Sequence, residues 1–316
     1  MNRWSSLAHR RLIRIDGPEG RDFLNGLTTQ NMHSSSVVFA ALLTPQGRFH
    51  SDFFVWNHPQ RPDSVLLDCH MDHWASIVDV LTLFHGLHDV ILVPDCTDYA
   101  VCAGMGTGMT DDALLDRGWM QGQGAIQVDP RTPAMGVRAL VPGRFMSDMP
   151  NMVCAPGTDD HYDDFCRGLG MPQGHCDLVV NQSIILEYGY HHCHALCWDK
   201  GCYRGQELMA RTHHRGQVRK HMYRLTKTHG VWPAVGTDLY CGTQRVGTMA
   251  SARGDTGLAS LHTERVFGTP AMGEPDHTAP VVLTYANTTA QDACHTVTVQ
   301  CVLCFDEDKK ASALNA

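Results

Sequence analysis

Residues 200–207 read K-G-C-Y-R-G-Q-E and place a cysteine, Cys202, between two glycines. Gly201 and Gly205 have access to backbone conformations that other residues avoid, and they allow a ligand to approach the main chain closely. A nearby cation such as Lys200 would favour the thiolate, which is the form of cysteine that reacts and binds metals. The residues alone are also compatible with a simpler interpretation, in which Cys202 is a buried thiol in a tight turn.

The composition is that of a soluble globular protein. The chain has 316 residues, of which 43% are hydrophobic and 18% charged, so there is room for two or three modules around sizeable cores. A net charge of −8 argues against nucleic acid as a direct partner. The first 16 residues contain no secretory apolar core, and no run of 18 apolar residues predicts a membrane span. We therefore expect a cytoplasmic protein whose 13 cysteines are mostly reduced.

Strands and helices alternate along the first part of the chain, and short strands follow. Apolar spacing predicts strands at residues 11–15, 37–43, 48–56, 65–69 and 90–93, and helices at 19–27, 73–83 and 159–169. This order favours an α+β fold built from ferredoxin-like, split βαβ units. From residue 231 to 305, short strands separated by glycine-containing turns predict a small C-terminal β-barrel. Residues 306–316 are polar and are expected to be a disordered tail.

Residues 200–207 resemble the signature K-G-C-Y-x-G-Q-E of YgfZ-type folate-binding proteins, which are related to the glycine-cleavage T-protein. Other segments support the resemblance. They are residues 23–31 (F-L-N-G-L-T-T-Q-N), residues 42–54 (L-L-T-P-Q-G-R-F-H-S-D-F-F), residues 207–225 after the motif, and residues 247–261 in the predicted barrel. The likeness covers most of the chain except residues 104–156.

The resemblance implies a T-protein-like fold around a central hole that holds tetrahydrofolate. The folate-binding region would span residues 1–230, with residues 1–50 and 140–230 in one α+β module and residues 51–139 in another. Family members are accessory proteins that support the assembly or repair of [4Fe–4S] enzymes, including tRNA-modifying ones. Their iron–sulfur client or assembly proteins would be the partners of this chain, and no direct nucleic acid contact or membrane is expected.

The functional residue of the family motif maps onto Cys202. The other motif residues that the resemblance singles out are Lys200, Gly201, Tyr203, Gly205, Gln206 and Glu207.

Folate places chemical demands on its site that particular residues can meet. The pterin edge carries N–H donors that suit a carboxylate, and Glu187 is the candidate for this contact. The pterin ring needs an apolar or aromatic slot, which Tyr188 and Tyr162 would form. The glutamate tail needs cations, and Arg211 and Arg215 are the candidates. Each of these residues also has an ordinary structural interpretation as core, rim or surface.

One departure from the T-protein favours an accessory function over an enzymatic one. The T-protein has a pair of aspartates at its hairpin, and the first is the catalytic acid, whereas this chain has Ser51-Asp52. We therefore expect a non-enzymatic protein. A folate-dependent aminomethyltransferase or demethylase of the same fold is the alternative.

A third hypothesis is a metal- or cluster-carrying protein. Its candidate ligands are soft-metal ligand types just before the motif and in it: His191, His192, Cys193, His194, Cys197 and Cys202. Their spacing fits neither a zinc ribbon nor a ferredoxin motif, so no resident metal site is expected.

Overall fold

The structure is a computed structural model that describes residues 3–106, 123–146, 155–214, 218–267, 280–286 and 294–304. The chain forms two compact units, which comprise Met1–Phe165 with Cys193–Leu208 and Cys166–His192 with Met209–Ala316. The predicted disordered tail at residues 306–316 lies outside the described residues. In the part of the chain that the structure describes, no helix is long and apolar enough to cross a membrane.

The first sheet of the first unit is antiparallel and carries helices on one face. Its strands lie in the spatial order β3 (Val37–Leu43), β4 (Phe49–Asn57), β5 (Ser64–His70), β2 (Arg10–Asp16) and β6 (Ile91–Val93). The helices are α1 (Gly20–Leu27) and α2 (Met71–Phe84). Side chains spaced at helical intervals, such as Phe23, Leu24 and Leu27 on α1, pack with alternate strand residues into one buried core. The apolar spacing in the sequence predicts these elements closely.

The second sheet of the first unit comes mainly from the stretch between residues 99 and 157. Its strands lie in the order β10 (Ala155–Gly157), β1 (Arg3–Ser6), β7 (Tyr99–Met105), β9 (Val137–Pro142) and β8 (Ala125–Val128), and α3 (Asp159–Leu169) follows β10. Sequence patterning did not predict these strands. Apart from β1, the strands of the second sheet follow those of the first in sequence, since β6 ends at Val93 and β7 begins at Tyr99. The predicted module boundary at residue 50 falls within the paired hairpin of β3 and β4.

A cluster of buried arginines connects elements of the two sheets. Asp68 on β5 accepts hydrogen bonds from Arg10 Nε at 2.5 Å and from Arg138 Nε at 2.7 Å. The Tyr162 hydroxyl accepts from Arg138 Nη1 at 3.0 Å and from Arg131 Nη2 at 2.6 Å. We refer to these five residues as the arginine cluster. Burying a charge is costly, and here the ion pairs and hydrogen bonds within the cluster offset that cost.

The second unit contains a closed β-barrel. Its strands lie in the order β11 (Lys220–Gly230), β14 (Thr256–His262), β13 (Gln244–Arg253), β12 (Asp238–Cys241), β15 (Pro280–Ala286) and β16 (Cys294–Leu303). Alternating residues such as Tyr223 and Leu225 fill its interior. The barrel begins with β11, which precedes the predicted start at residue 231. The remaining α-helices among the described residues are α4 (Gly174–Asp177), α5 (Gln206–His214) and α6 (Thr263–Phe267).

Candidate functional site

The C-terminal side of residues 200–207, here called the motif loop, lies against the turn between β3 and β4. Gly205 has a φ of +81°, and a Cβ built on it would lie 2.5 Å from the Thr44 carbonyl oxygen and 2.8 Å from Leu43 Cβ. Gly47 in the turn has a φ of +76°, and its Cβ would lie 2.9 Å from the Gly205 carbonyl oxygen. The two glycines therefore pack backbone against backbone, and both positions require glycine.

The N-terminal side of the motif loop is anchored by Lys200 to the end of α1. Its Nζ donates to the carbonyl oxygens of Asn25 at 2.8 Å, Thr28 at 2.7 Å and Gln30 at 2.9 Å. An ammonium group has three donors, so these carbonyls use all of them. The last carbonyls of a helix lack helical partners and carry partial negative charge, so a cation is favourable there. Burial lowers the pKa of Lys200 to about 8.

The segment just before the motif loop is bound to the residues that follow α1. The Thr29 hydroxyl donates to the Ala195 carbonyl at 2.6 Å, and the Cys197 amide donates back to the Thr29 carbonyl at 3.0 Å. Gln30 Nε2 donates to the Leu196 carbonyl at 3.3 Å. Thr29 and Gln30 belong to the T-T-Q-N stretch of residues 23–31, where their residue types alone do not predict these contacts. The quoted segments 23–31, 42–54 and 200–207 thus meet in one place.

Cys202 lies between the two anchors of the motif loop and is exposed, as is its neighbour Gly201. Among the cysteines whose exposure the structure describes, the others are buried or half-buried: Cys69, Cys96, Cys102, Cys166, Cys176, Cys193, Cys197, Cys241 and Cys304. This exposure excludes the interpretation of Cys202 as a buried thiol in a tight turn. A Cβ added to Gly201 meets no atom within 4 Å, so this glycine is not required by packing.

The remaining residues of the motif complete the loop and begin α5. Tyr203 is buried, and the Lys200 Nζ lies 5.2 Å from the centre of its ring. Burial raises the pKa of Tyr203 to about 12, so its hydroxyl stays protonated at neutral pH. The main-chain N–H of Gln206 donates to the Tyr203 carbonyl oxygen at 3.2 Å. Glu207 is exposed in the first turn of α5. An acidic residue at this position suits the positive end of the helix dipole.

Two of the residues predicted to bind folate, Glu187 and Tyr188, lie together in the second unit. Both belong to the 3₁₀ turn Ile185–Tyr188. Glu187 Oε2 is 3.4 Å from Lys220 Nζ, so this half-buried carboxylate already has a cationic partner. Tyr188 is buried, and its hydroxyl accepts a hydrogen bond from the Ser183 hydroxyl at 3.4 Å. Burial raises the pKa of Tyr188.

The other predicted folate contacts differ in their surroundings. Tyr162 is 3% exposed, and its hydroxyl is part of the arginine cluster, so it occupies the position of a core residue. Arg211 is exposed on α5. Arg215 lies outside the described residues. Sequence reasoning did not distinguish a core tyrosine such as Tyr162 from a rim tyrosine, because both types occur in apolar surroundings.

Ser51, which the resemblance aligns with the catalytic acid of the T-protein, is buried. Ser51 lies on β4 with its Oγ 3.1 Å from His50 Nδ1, and Asp52 beside it is also buried. Burial is the main cause of a lowered pKa at His50, with a further contribution from the charge of Arg204. Among the residues that the structure describes, no three His, Cys, Asp or Glu side chains are grouped so that they could hold a metal ion.

Several curated proteins are similar to this chain over most of its length. The mouse "Iron-sulfur cluster assembly factor IBA57, mitochondrial" is 29% identical over 283 residues, which cover 82% of this chain and 77% of the mouse protein. The human protein of the same name is 29% identical over 288 residues, with the same coverage. The Dictyostelium discoideum homologue is 26% identical over 248 residues, which cover 69% of this chain and 60% of that protein.

These three relatives are all named as IBA57 proteins or homologues. No protein-family profile matches the chain. The expectation of a cytoplasmic protein is wrong, because the IBA57 relatives are named as mitochondrial. That expectation rested on the absence of a secretory signal and of a membrane span, and neither absence distinguishes the cytoplasm from another compartment.

A solved structure confirms the predicted fold class. The glycine cleavage system aminomethyltransferase T from Bartonella henselae superposes with a TM-score of 0.66, over 95% of this chain and 85% of that protein. The chain therefore has the T-protein-like α+β fold with a C-terminal β-barrel, as predicted. At 11% sequence identity this likeness establishes the fold alone.

Proposed function

We propose that this chain is a mitochondrial iron–sulfur cluster assembly factor in which Cys202 is the functional thiol. The observation that carries the proposal is the position of Cys202, which is exposed in a loop anchored on both sides. The IBA57 relatives, whose names state this function, support the assignment. The motif shared with YgfZ-type proteins supports [4Fe–4S] enzymes, including tRNA-modifying ones, as the clients.

An anchored, exposed thiol suits work on iron–sulfur proteins for a chemical reason. Thiolates are soft ligands that bind iron and can replace another thiolate as its ligand. Both reactions require access to the sulfur. The Lys200 and Gly205 anchors place Cys202 at the surface without using its side chain. The sulfur therefore remains available to a partner.

The decisive experiment is complementation in cells that lack their own protein of this type. We expect the Cys202→Ser variant to fold but to leave the activity of [4Fe–4S] enzymes low. The matched control is Cys241→Ser, which changes a half-buried cysteine on β12 of the barrel and should complement fully. Full complementation by Cys202→Ser would refute the role proposed for this thiol.

We also propose that the chain binds tetrahydrofolate, with Glu187, Tyr188 and Arg211 as contacts in the second unit. The T-protein-like fold and the position of Glu187 beside Tyr188 support this proposal. A ligand that binds only the folded state stabilises it by about 2.7 kcal/mol at a hundredfold excess over Kd. Tetrahydrofolate should therefore raise the melting temperature in a concentration-dependent way, and Glu187→Gln should reduce the rise. A flat titration would count against folate binding.

Aminomethyl transfer is the alternative function that the similarity to an aminomethyltransferase fold suggests. The Ser51 hydroxyl is a far weaker acid than a carboxyl group, so it cannot take over general acid catalysis by an aspartate. We expect no methylene-tetrahydrofolate in a glycine-cleavage assay. Its formation would favour the enzymatic alternative, with Asp52 as the next candidate for the acid.

A further inference from the structure

Two adjacent threonines that follow α1, Thr28 and Thr29, are fully buried and use their hydroxyl groups differently. The Thr28 hydroxyl donates to the Leu24 carbonyl oxygen at 2.9 Å, within the end of its own helix. The Thr29 hydroxyl donates to the Ala195 carbonyl oxygen at 2.6 Å, 166 residues further along the chain. The first contact serves local structure, whereas the second fixes the position of a distant segment.

Thr29 joins the segment before the motif loop to the edge of the first sheet. Its hydroxyl oxygen accepts from the main-chain N–H of Ala41 on the edge strand β3 at 2.9 Å, and its own N–H donates to the Ala41 carbonyl oxygen at 3.1 Å. Its carbonyl oxygen accepts from the Cys197 N–H at 3.0 Å. A hydroxyl has one proton, and the Ala195 carbonyl at 2.6 Å is closer than the Ala41 carbonyl at 3.3 Å, so the proton serves Ala195.

The segment that Thr29 holds contains an unfavourable backbone conformation. His194 has a φ of +53°, one of two positive values at non-glycine residues in the described part of the chain. Gln30 Nε2 donates to the carbonyl oxygens of His194 at 2.5 Å and Leu196 at 3.3 Å, on either side of the residue that Thr29 holds. Such a conformation persists where its surroundings determine it, and it is common at functional sites. Thr29 and Gln30 are those surroundings here.

The same turn also holds the part of the motif loop that carries the thiol. Lys200 Nζ donates to the carbonyl oxygens of Thr28 and Gln30, the two residues beside Thr29. Three consecutive residues after α1 therefore bind both the segment 195–197 and Lys200. Cys202 follows only two residues after the last of these contacts, so its position depends on them.

We propose that Thr29 is a positioning residue for Cys202 and acts through its hydroxyl group. The proposal rests on the function proposed for Cys202. Without the hydroxyl, the Ala195 carbonyl would lose its donor and the Ala41 N–H its acceptor, although both residues are fully buried. Residues 195–202 would then open locally more often, and the thiol would be held in place for a partner less often.

The structural test is hydrogen exchange of the full chain, read at the Cys197 amide where all variants are folded. The amide of Leu67 on the buried strand β5 corrects for changes in global stability. In Thr29→Val, the ratio of the Cys197 rate to the Leu67 rate should rise about tenfold, as expected for loss of a buried hydrogen bond.

Two variants separate the Thr29 hydroxyl from general effects of substitution. Thr29→Ser keeps the hydroxyl, and Thr28→Val removes the neighbouring hydroxyl while keeping the main-chain carbonyl that Lys200 uses. Both should leave the exchange ratio close to that of the original protein. An unchanged ratio in Thr29→Val, or an equal rise in either control, would overturn the proposal.

The functional test is complementation in cells that lack their own protein of this type. Thr29→Val should lower the activity of [4Fe–4S] enzymes at an unchanged protein level, whereas Thr29→Ser and Thr28→Val should complement. Full complementation by Thr29→Val, when Cys202→Ser fails, would overturn the positioning role and leave the proposed function intact. Full complementation by Cys202→Ser would instead refute the function of the thiol, and the exchange ratio alone would then decide whether Thr29 positions it.

Discussion

Arg138 and Lys200 are two cations of the first unit that lie partly or fully out of contact with solvent, and they have different kinds of hydrogen-bond partner. Arg138, which is 1% exposed, meets the Asp68 carboxylate, and its guanidinium carbon lies 3.9 Å from the centre of the Phe54 ring. Lys200 donates instead to main-chain carbonyl oxygens at the end of α1. One cation is held by an opposite charge in the core, and the other by neutral acceptors beside the motif loop.

This difference separates a residue that sustains the fold from one that positions a functional loop. Removing one member of a buried charge pair leaves the other without compensation, and this is among the most destabilising changes in proteins. Replacing Lys200 by a neutral residue leaves no unpaired charge. It leaves only the uncharged main-chain carbonyl oxygens without their hydrogen-bond donor. We therefore expect the arginine cluster to govern stability, and the Lys200 anchor to govern the position of Cys202 at a smaller cost.

The largest effect is expected from Asp68→Asn, which keeps the shape of the side chain and removes its charge. Arg10 and Arg138 would then lie together without this counter-charge, and the free energy of unfolding should fall by about 3–5 kcal/mol. Urea denaturation measures the loss. The control is Asp238→Asn, which breaks an exposed pair with Arg245 and should cost about 0–1 kcal/mol. Equal losses in the two variants would contradict the assignment of the arginine cluster to the core.

Next in size is Lys200→Met, which keeps the apolar stem and removes the three donors. The free energy of unfolding should fall by about 1.5–3 kcal/mol, the range for hydrogen bonds to a charged group. Urea denaturation again measures it, with Lys200→Arg as the control that keeps the charge. A loss below about 0.5 kcal/mol, the usual range for surface substitutions, would show that the carbonyl contacts do not hold the loop.

The lowered pKa of Lys200 makes this anchor sensitive to pH. Burial lowers the pKa from 10.5 to about 8, so between these values the unfolded chain binds more protons than the folded protein. The stability contributed by this group therefore rises with pH across that window and is flat below it. Lys200→Arg does not titrate there, so the stability of the original protein relative to this variant should increase with pH. A constant difference would contradict the lowered pKa.

The fold was predictable where apolar side chains repeat at regular intervals. Phe23, Leu24 and Leu27 predict α1, and the apolar run of β3 followed by T-P-Q-G predicts the hairpin. The second sheet lacks such signals. The central part of β7, A-V-C-A-G, is made of small residues, and β9 contains the buried Arg138, which pattern analysis reads as a surface position. Partners from distant parts of the chain, the Asp68 carboxylate and the Tyr162 hydroxyl, make that position part of the core.

The candidate site was predictable in its location and not in its contacts. The motif resemblance singled out Cys202, and the structure exposes it. Lys200 was interpreted from its proximity in sequence as a residue that favours the thiolate. Its acceptors are main-chain carbonyls, which leave no trace in residue types. The sequence does not distinguish Gly201 from Gly205, yet neighbouring atoms leave no room for a Cβ at Gly205 and leave open space at Gly201.

These two glycines provide the next prediction. Gly205→Ala would place a Cβ 2.5 Å from the Thr44 carbonyl oxygen at a positive φ, so the free energy of unfolding should fall by about 1–3 kcal/mol. Gly201→Ala adds a methyl group where no atom lies within 4 Å, and it should change stability by less than about 0.5 kcal/mol. Chemical denaturation of both variants measures the contrast. Similar losses would show that the hairpin contact does not hold the loop.

The smallest effect on stability is expected from Cys202→Ser. The thiol is exposed and plays no part in either anchor, so the free energy of unfolding should change by less than about 0.5 kcal/mol. In the folded protein, Cys202 should react with iodoacetamide before the other cysteines whose exposure the structure describes, as read by peptide mass spectrometry. Cys69 and Cys102 serve as internal controls, because burial raises the pKa of each to about 12 and they should react only after denaturation. If Cys202→Ser costs as much as Lys200→Met, the thiol is a structural part of the loop rather than a group that the loop presents.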